Sequence, residues 1–290
     1  MGLIYALNGF YFAAFLFLTS LGLSLILGVM GILNLAHGSL YAIGGFMAAY
    51  LIGMMTGSSA ALILVVAMCA AMALAGVSAM LLEMGLIRPL YKRPLEYQLI
   101  VTFGALMLVE DLIKLVFGGQ SLYASAPFDA MGAIDMVGGA EYPIYFLFVM
   151  AVTALAGGFL WWVMAKTRLG IMLRAIEMDR DMAQAMGIPM RKLTVLAFVL
   201  GGGLAGLAGA LVVPTSPATM GMGMDVLIMS FIVVVIGGLG SLKGALLGSL
   251  IVGLTRSFTV AYFAELEMPL LFLIAVVILV IKPEGLFGQK

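Results

Sequence analysis

The residues best equipped for chemistry in this 290-residue chain are few. His37, the one histidine, lies between Asn34 and Ser39 in the run GILNLAHGSLYAIGG. An imidazole and a hydroxyl two residues apart invite a hydrolase reading, but the chain has no G-x-S-x-G elbow and no H-E-x-x-H helix. GGLGSLKG resembles a phosphate cradle only loosely. It lacks the spacing of G-x-x-x-x-G-K-[ST] and has Gly244 where the cradle needs Ser or Thr. Glu110 and Asp111 precede Lys114 by four and three residues, which lets one helical face pair them as a local ion pair. Cys69 is alone, so disulfides and cysteine metal sites are excluded. Catalytic residues are therefore expected to be none, and metal ligands none.

The elements that position these groups follow from composition. Hydrophobic residues make up 64% of the chain and charged residues 10%, with a mean hydropathy of +1.22. A soluble domain is about a quarter charged, so this composition belongs to a polytopic membrane protein. The apolar runs do not alternate with period two, which rules against a barrel and leaves helices, since lipid satisfies no backbone polar group. The net charge of zero offers no electrostatic handle for nucleic acid. No basic segment precedes the first apolar run, so that run is expected to remain as a span rather than to be cleaved.

Expected spans cover about 8–29, 39–55, 59–82, 99–117, 143–164, 193–213, 226–236, 245–262 and 268–281. The predicted fold is all-α and polytopic, one transmembrane permease-like domain over 1–290 with about eight or nine crossings. Two glycine-interrupted segments lie at Gly31 to Gly45 and Gly237 to Gly244. Basic residues in short loops mark the inner side. Arg88, Lys92 and Arg93 place the loop after the third span inside, and Lys282 and Lys290 place the C-terminus inside. The loop 118–142 carries Asp129, Asp135 and Glu141 and no basic residue, so it falls outside, and the N-terminus with it.

One segment departs from this hydrocarbon. The island 166–192 holds nine of the 28 charged residues, six of them basic. Within it Ile171, Ala175, Met178, Met182 and Met186 recur at helical spacing, with Arg174, Glu177, Arg180, Asp181 and Gln184 on the other side. Gly187 can end such a helix in the left-handed conformation, and Pro189 blocks its continuation. The pattern predicts one short amphipathic helix, about 170–187, on the inner side. By itself it fits a helix lying in the lipid headgroups. A docking reading adds that the apolar stripe rests on the membrane domain while the polar side meets a soluble partner.

TRLGIMLRAIEMDRDMAQAMGI resembles the cytoplasmic coupling segment of permease subunits of bacterial ABC importers for branched-chain amino acids. Four further blocks are similar to that family in the same order: GLSLILGVMGILNLAHGSLYAIGG, RPLYKRPLEYQLIVTFGALMLVEDLIKLVFG, FVLGGGLAGLAGALVVPTSPATMGMG and IGGLGSLKGALLGSLIVGL. The N-x-A-H-G and R-P-L blocks point to the LivH type rather than the LivM type. The resemblance implies a bacterial inner-membrane complex of two permeases (a LivM-type companion or a homodimer), two cytoplasmic ATPases and a periplasmic binding protein. It implies that ATP and Mg are bound by the ATPase and that this chain binds no cofactor. ATPase coupling is then expected of Gly170, Arg174, Ala175, Glu177, Asp179, Asp181, Ala183 and Gly187. Relatives often carry an acidic residue where this chain reads Thr255-Arg256, which leaves that carboxylate's role without a local heir.

Small residues at four-residue spacing let helices approach closely where lipid gives no hydrophobic incentive to associate. Gly202 with Gly206, Gly209 with Ala205, and Gly240, Gly244 and Gly248 are read as packing positions within one subunit, or else between permeases. Broken helices at membrane depth often line transport paths. Asn34, His37, Gly38 and Ser39 in the first break, and Gly237, Gly238 and Gly240 in the second, are the candidates to line or support one. A faint likeness between the breaks would make them corresponding points of two structural halves. The competing class, an ion-coupled transporter working alone, usually needs ionisable groups deep in its spans, and few are present. With no phosphate cradle, the purified chain is expected to release no phosphate from ATP above the background of empty vesicles, and measurable hydrolysis by the chain alone would overturn this reading.

Overall fold

The computed structural model describes residues 2–55, 59–91, 93–136 and 140–288, so Lys92 and Lys290, two of the basic residues used for orientation, lie outside the described residues. The helices in order are α1 (Gly2–Met30), α2 (His37–Met54), α3 (Ala60–Leu82), α4 (Leu95–Phe117), α5 (Ala126–Met131) and α6 (Ile144–Lys166). They continue with α7 (Arg168–Met178), α8 (Arg180–Ala185), α9 (Met190–Val212), α10 (Met222–Gly237), α11 (Leu242–Phe263) and α12 (Glu267–Ile281). Two strands, β1 (Ala133–Met136) and β2 (Ala140–Pro143), form an antiparallel hairpin with Ala133 opposite Pro143. The hairpin and α5 occupy 118–142, which the sequence reading treats as a plain loop in an all-α fold. Short strands of mixed apolar and polar residues carry too weak a periodicity to be read.

Among the described residues, five runs are long and apolar enough to cross a membrane: Gly2–Met30, Ala60–Leu90, Ile144–Lys166, Met190–Val212 and Leu242–Ile281. The last includes both α11 and α12. Among the rest, α10 has only 16 residues, and α4 carries Glu96, Glu110, Asp111 and Lys114. Most of these helices begin one to six residues earlier than hydropathy suggests, because terminal turns extend past the apolar run.

α9 sits at the centre, packed on α1, α2 and α3. Its glycines leave room for neighbouring backbones. A Cβ at Gly206 would strike the Ala75 methyl, and one at Gly44 would strike Gly206 itself. Gly202 meets Ala79 and Leu40, Gly209 meets the Tyr41 carbonyl, and Gly248 meets Val233. Gly244 lies against Gly237 across the turn between α10 and α11. Each of these contacts is within this one chain. At the other end of α9, Tyr145 donates to the Leu211 carbonyl at 2.8 Å, and Tyr11 shares a 2.6 Å hydrogen bond with Thr215.

The connection from α1 to α2 reverses at Gly31, where φ is +65°. His37, at the start of α2, places Nε2 3.0 Å from the Thr19 carbonyl. Thr19 precedes the end of α1 by eleven residues, about 17 Å at helical rise. The segment 31–36 therefore climbs back beside α1 before α2 begins. Ile32, Asn34 and Ala36 within it are buried, which gives its irregular backbone protein cover rather than lipid.

The expected Glu110/Asp111–Lys114 ion pair does not form. The salt bridges among the described residues are Arg88–Glu83 and Arg256–Glu267. α4 buries Thr102, Ala105, Val109 and Ile113, which turns Asp111 and Lys114 outward, where pairing gains little. The tight glycine contacts give a direct test. Gly44→Val should lower detergent-solubilised stability by about 2 kcal/mol, because overpacking against backbone cannot be relieved by a rotamer change. Gly53→Val in the same helix, where a Cβ meets nothing within 4 Å, should leave the melting temperature unchanged. Equal melting curves for the two variants would refute this packing account.

Candidate functional site

The island folds against the end of α6. Thr167 has extended backbone angles, its Oγ1 donates to the Val163 carbonyl at 2.7 Å, and the same oxygen accepts from Gly170 N–H at 3.3 Å. One hydroxyl thus ties the last turn of α6 to the first turn of α7. Gly170 lies on the Met164 backbone with no room for a Cβ, and the Arg174 guanidinium donates to the Met164 carbonyl. Arg174 therefore holds α7 onto α6, using a donor that the docking reading reserves for a partner.

The single helix predicted for 170–187 is two helices. Asp179 leaves the helical region at φ −155° and caps α8, accepting from Met182 N–H at 2.9 Å. A short carboxylate that competes for backbone donors favours a cap over a mid-helix position. Gly187 takes φ +79°, and Ile188 N–H closes the turn on the Ala183 carbonyl at 3.1 Å.

The buried face is not the one expected, while Arg174, Glu177, Asp181 and Gln184 stay exposed as the pattern predicts. Gly170, Leu173, Ile176 and Ala183 are the buried residues of α7 and α8. Ile171, Met178, Met182 and Met186, the stripe expected to rest on the membrane domain, are exposed, Met178 at 84% and Met186 at 76%. Ala175 is half-buried, whereas Asp179, Asp181 and Gly187 are exposed. Gly170 and Ala183, two residues proposed for coupling, therefore present no surface for a partner. Two apolar registers coexist in this stretch, and packing against α1, α6 and α9 selects the one with the branched side chains Leu173 and Ile176.

Glu177 is an exposed residue whose carboxylate borders the junction of three elements. Its Oε1 lies 3.2 Å from where a Cβ would stand at Gly28, and 3.3 Å from one at Gly240. Gly28 and Gly240 also touch each other, with a Cβ at Gly240 falling 3.0 Å from the Gly28 Cα. Gly28 belongs to the last turn of α1, and Gly240, at φ +79°, to the turn between α10 and α11. The end of α1, the second glycine-rich break and the amphipathic segment, far apart in sequence, meet here. Burial raises the Glu177 carboxyl above the ordinary glutamate range, opposed by the nearby Arg174 charge.

This junction borders an open cavity of about 900 Å³. Its wall includes Ser24, Val29, Trp161, Arg174, Glu177 and Lys243. Phe287 of the C-terminal tail joins the wall, because Leu286 and Phe287 N–H groups cap the last carbonyls of α10, at Ile236 and Gly237. Gly238, at φ +105°, packs on that tail. Gly28, Ser24, Lys243 and Phe287 escaped sequence reasoning. Only the unusual density of glycine at both breaks hinted that backbones meet there.

Asn34, His37, Gly38 and Ser39 do not line this cavity. They are buried beneath it at the start of α2, where Asn34 Oδ1 accepts from Ala36 N–H and Ser39 donates to the Ala36 carbonyl at 2.7 Å. The Thr19 carbonyl accepts only, so Nε2 carries the His37 proton, and Nδ1 and Asn34 Nδ2 have no partner. Ser230 donates to Thr19 Oγ1 at 2.8 Å, which joins α10 to the same polar cluster.

Two further clusters flank the site. Glu83, fully buried beyond α3, accepts from Arg88 at 3.1 and 2.6 Å and from the Tyr91 hydroxyl, and Arg180 of α8 stacks 5.0 Å over the Tyr91 ring. The loop after α3 and the α7–α8 segment therefore touch. At the opposite end, Arg256 pairs with Glu267 and lies 3.6 Å over the Phe12 ring, beside a cavity of about 420 Å³. The carboxylate nearest Thr255-Arg256 thus comes from Glu267 of α12, through its pair with Arg256.

The model of the family described as branched-chain amino acid transport system/permease component matches residues 5–281. The high-affinity branched-chain amino acid transport system permease protein BraD of Pseudomonas aeruginosa is 26% identical over 289 residues, 97% of this chain and 94% of that one. The permease protein LivH of Escherichia coli K12 is 26% identical over 303 residues with the same coverage. A probable LivH of Methanocaldococcus jannaschii is 27% identical over 260 residues, 86% of this chain and 78% of that one. Among solved structures, PsaBC from Streptococcus pneumoniae in complex with Fab aligns with a TM-score of 0.46 at 16% identity, over 94% of this chain and 89% of that one. The chain belongs to the branched-chain amino acid transport permease family, and as such is a non-catalytic inner-membrane subunit of an ABC transporter whose ATP is hydrolysed by separate ATPase subunits.

Proposed function

We propose that this chain is the LivH-type permease of an importer that moves branched-chain amino acids into the cytoplasm by alternating access. The observation that carries the mechanism is the two-sided α7–α8 segment. Its inner face places Glu177 against Gly28 and Gly240, and its outer face offers Met178, Met182 and Met186. An exposed apolar stripe on a membrane protein's polar segment fits a protein partner, and methionine adapts to the groove that receives it. The ATPase, binding ATP and Mg itself, docks on this stripe. Asp179, Asp181 and Gly187 border it. This chain binds no cofactor.

When the ATPase dimer closes, α7–α8 moves as a unit, because Thr167, Gly170 and Arg174 tie it to α6. Glu177 passes the movement to the end of α1 and to the turn before α11. The stacked Arg180–Tyr91 pair carries it to the loop after α3. In this reading the α7–α8 end, 166–192, is cytoplasmic, and 118–142 with the N-terminus is periplasmic. The chain crosses about nine times, with α2 starting at depth. Basic residues at Arg88, Arg93, Lys166, Arg168, Arg191, Lys192 and Lys282 support that orientation. The partners are a LivM-type permease, two ATPases and a periplasmic binding protein.

The test is reconstitution of the complete five-subunit complex in proteoliposomes. ATP- and receptor-dependent L-leucine uptake is expected. Met178→Glu combined with Met182→Glu should lower that uptake by about tenfold, the size of a lost hot-spot contact, while the permease pair still assembles. Leucine uptake by this chain alone under an ion gradient would reject the importer, and full uptake by the double variant would reject the stripe as the docking surface.

A further inference from the structure

The mouth between α1, α7 and the α10–α11 turn has the chemistry of a ligand site. Glu177 has no cation within 4.0 Å among the described residues, although Arg174 is near enough to influence it. Directly beside it α1 ends. The carbonyls of Gly28 and Val29, both on the cavity wall, receive no backbone N–H from the described residues, and the end of a helix carries about half a negative charge. Carboxylate and carbonyls together make a pocket for a cation that can donate several hydrogen bonds. The same cavity wall holds two cationic groups, Arg174 and Lys243, neither of them in an ion pair within 4.0 Å among the described residues. Leu25, Leu27, Val29 and Leu33 complete an apolar side.

We propose that this mouth is a release site for a zwitterionic amino acid: Glu177 Oε1 and the last carbonyls of α1 take the ammonium, Arg174 and Lys243 attract the carboxylate, and Leu25 and Val29 face the apolar side chain. A neutral amide, urea or a simple carboxylate matches only part of this arrangement. The inference rests on the importer reading and adds where, and by which groups, the cargo leaves. Because Glu177 also bridges α7 to Gly28 and Gly240, an occupied site opposes closure of the mouth, so cargo accumulated on this side slows the transporter.

The test uses the full complex in proteoliposomes with the ATPases outward, following ATP-driven uptake of labelled L-leucine. Millimolar L-leucine, isoamylamine, 4-methylpentanoate or sodium chloride is added on the ATPase side. Leucine and isoamylamine should inhibit, and 4-methylpentanoate and sodium chloride should not. In Glu177→Gln the isoamylamine inhibition constant should rise by about tenfold or more, as for loss of a charge-assisted hydrogen bond, and Glu177→Asp should restore most of it. Equal inhibition by the amine and the carboxylate, equal inhibition by sodium chloride, or an unchanged constant in Glu177→Gln would overturn the site. If Glu177→Gln fails to assemble, the amine-against-carboxylate selectivity of the unmodified complex decides. Failure of the importer reading is separate, because it appears as no leucine uptake before any inhibitor is added.

Discussion

Backbone-to-backbone contact around α9 is the constraint on which the other features depend. In lipid, apolar helices gain nothing by leaving hydrocarbon for one another, so association relies on close packing. Gly22 against Gly201, Gly44 against Gly206 and Tyr41 against Gly209 bring α1 and α2 onto opposite sides of one helix. That arrangement sets the level at which α2 begins, and it forces 31–36 to return through the interior. The buried hydrogen bonds of Asn34, His37, Ser39 and Thr19 then satisfy most of a backbone that water cannot reach. His37 is structural in this arrangement. Its bond to the Thr19 carbonyl holds the start of α2 in place, and its Nδ1 has no hydrogen-bond partner among the described residues.

The second consequence lies at the end of the bundle. Because α1 and α10 descend side by side, joined by Thr19 and Ser230, their ends arrive together. The glycine-rich turn after α10 then presses Gly240 onto Gly28, leaving a small gap that a carboxylate fills. Only α7 can supply it, and it does so because Arg174 and Thr167 anchor α7 beneath α6. A short polar segment outside the spans is thereby connected to two spans that bracket the cavity. In the proposed mechanism this connection lets α7–α8 act as a lever on both spans.

Much of the fold was legible in the residues. Continuous apolar runs bounded by charge or proline marked nearly every long helix, because backbone satisfaction in lipid leaves helices as the one local solution. The polar island stood out for the same reason, and Gly187 ended it as its stereochemistry requires. What was not legible involved choices between local solutions of similar merit. Asp179 could sit in a helix or cap one. The hairpin at 133–143 was too short for a periodic signal. Glu110, Asp111 and Lys114 could pair by spacing alone, yet the buried face of α4 left Asp111 and Lys114 outward, where a pair gains little.

Sequence alone therefore determined the class of the protein, most of its helices and the place of its amphipathic polar segment, because each follows from local periodicity, solvation or a motif. Only the tertiary structure decided which face of that segment looks inward. Ile171, Met178, Met182 and Met186 form one valid apolar stripe, and Leu173, Ile176 and Ala183 form another. A helix cannot choose between them by itself. The backbone of Met164, with space for Gly170 and an acceptor for Arg174, made the choice, and in doing so it pointed Glu177 at the cavity.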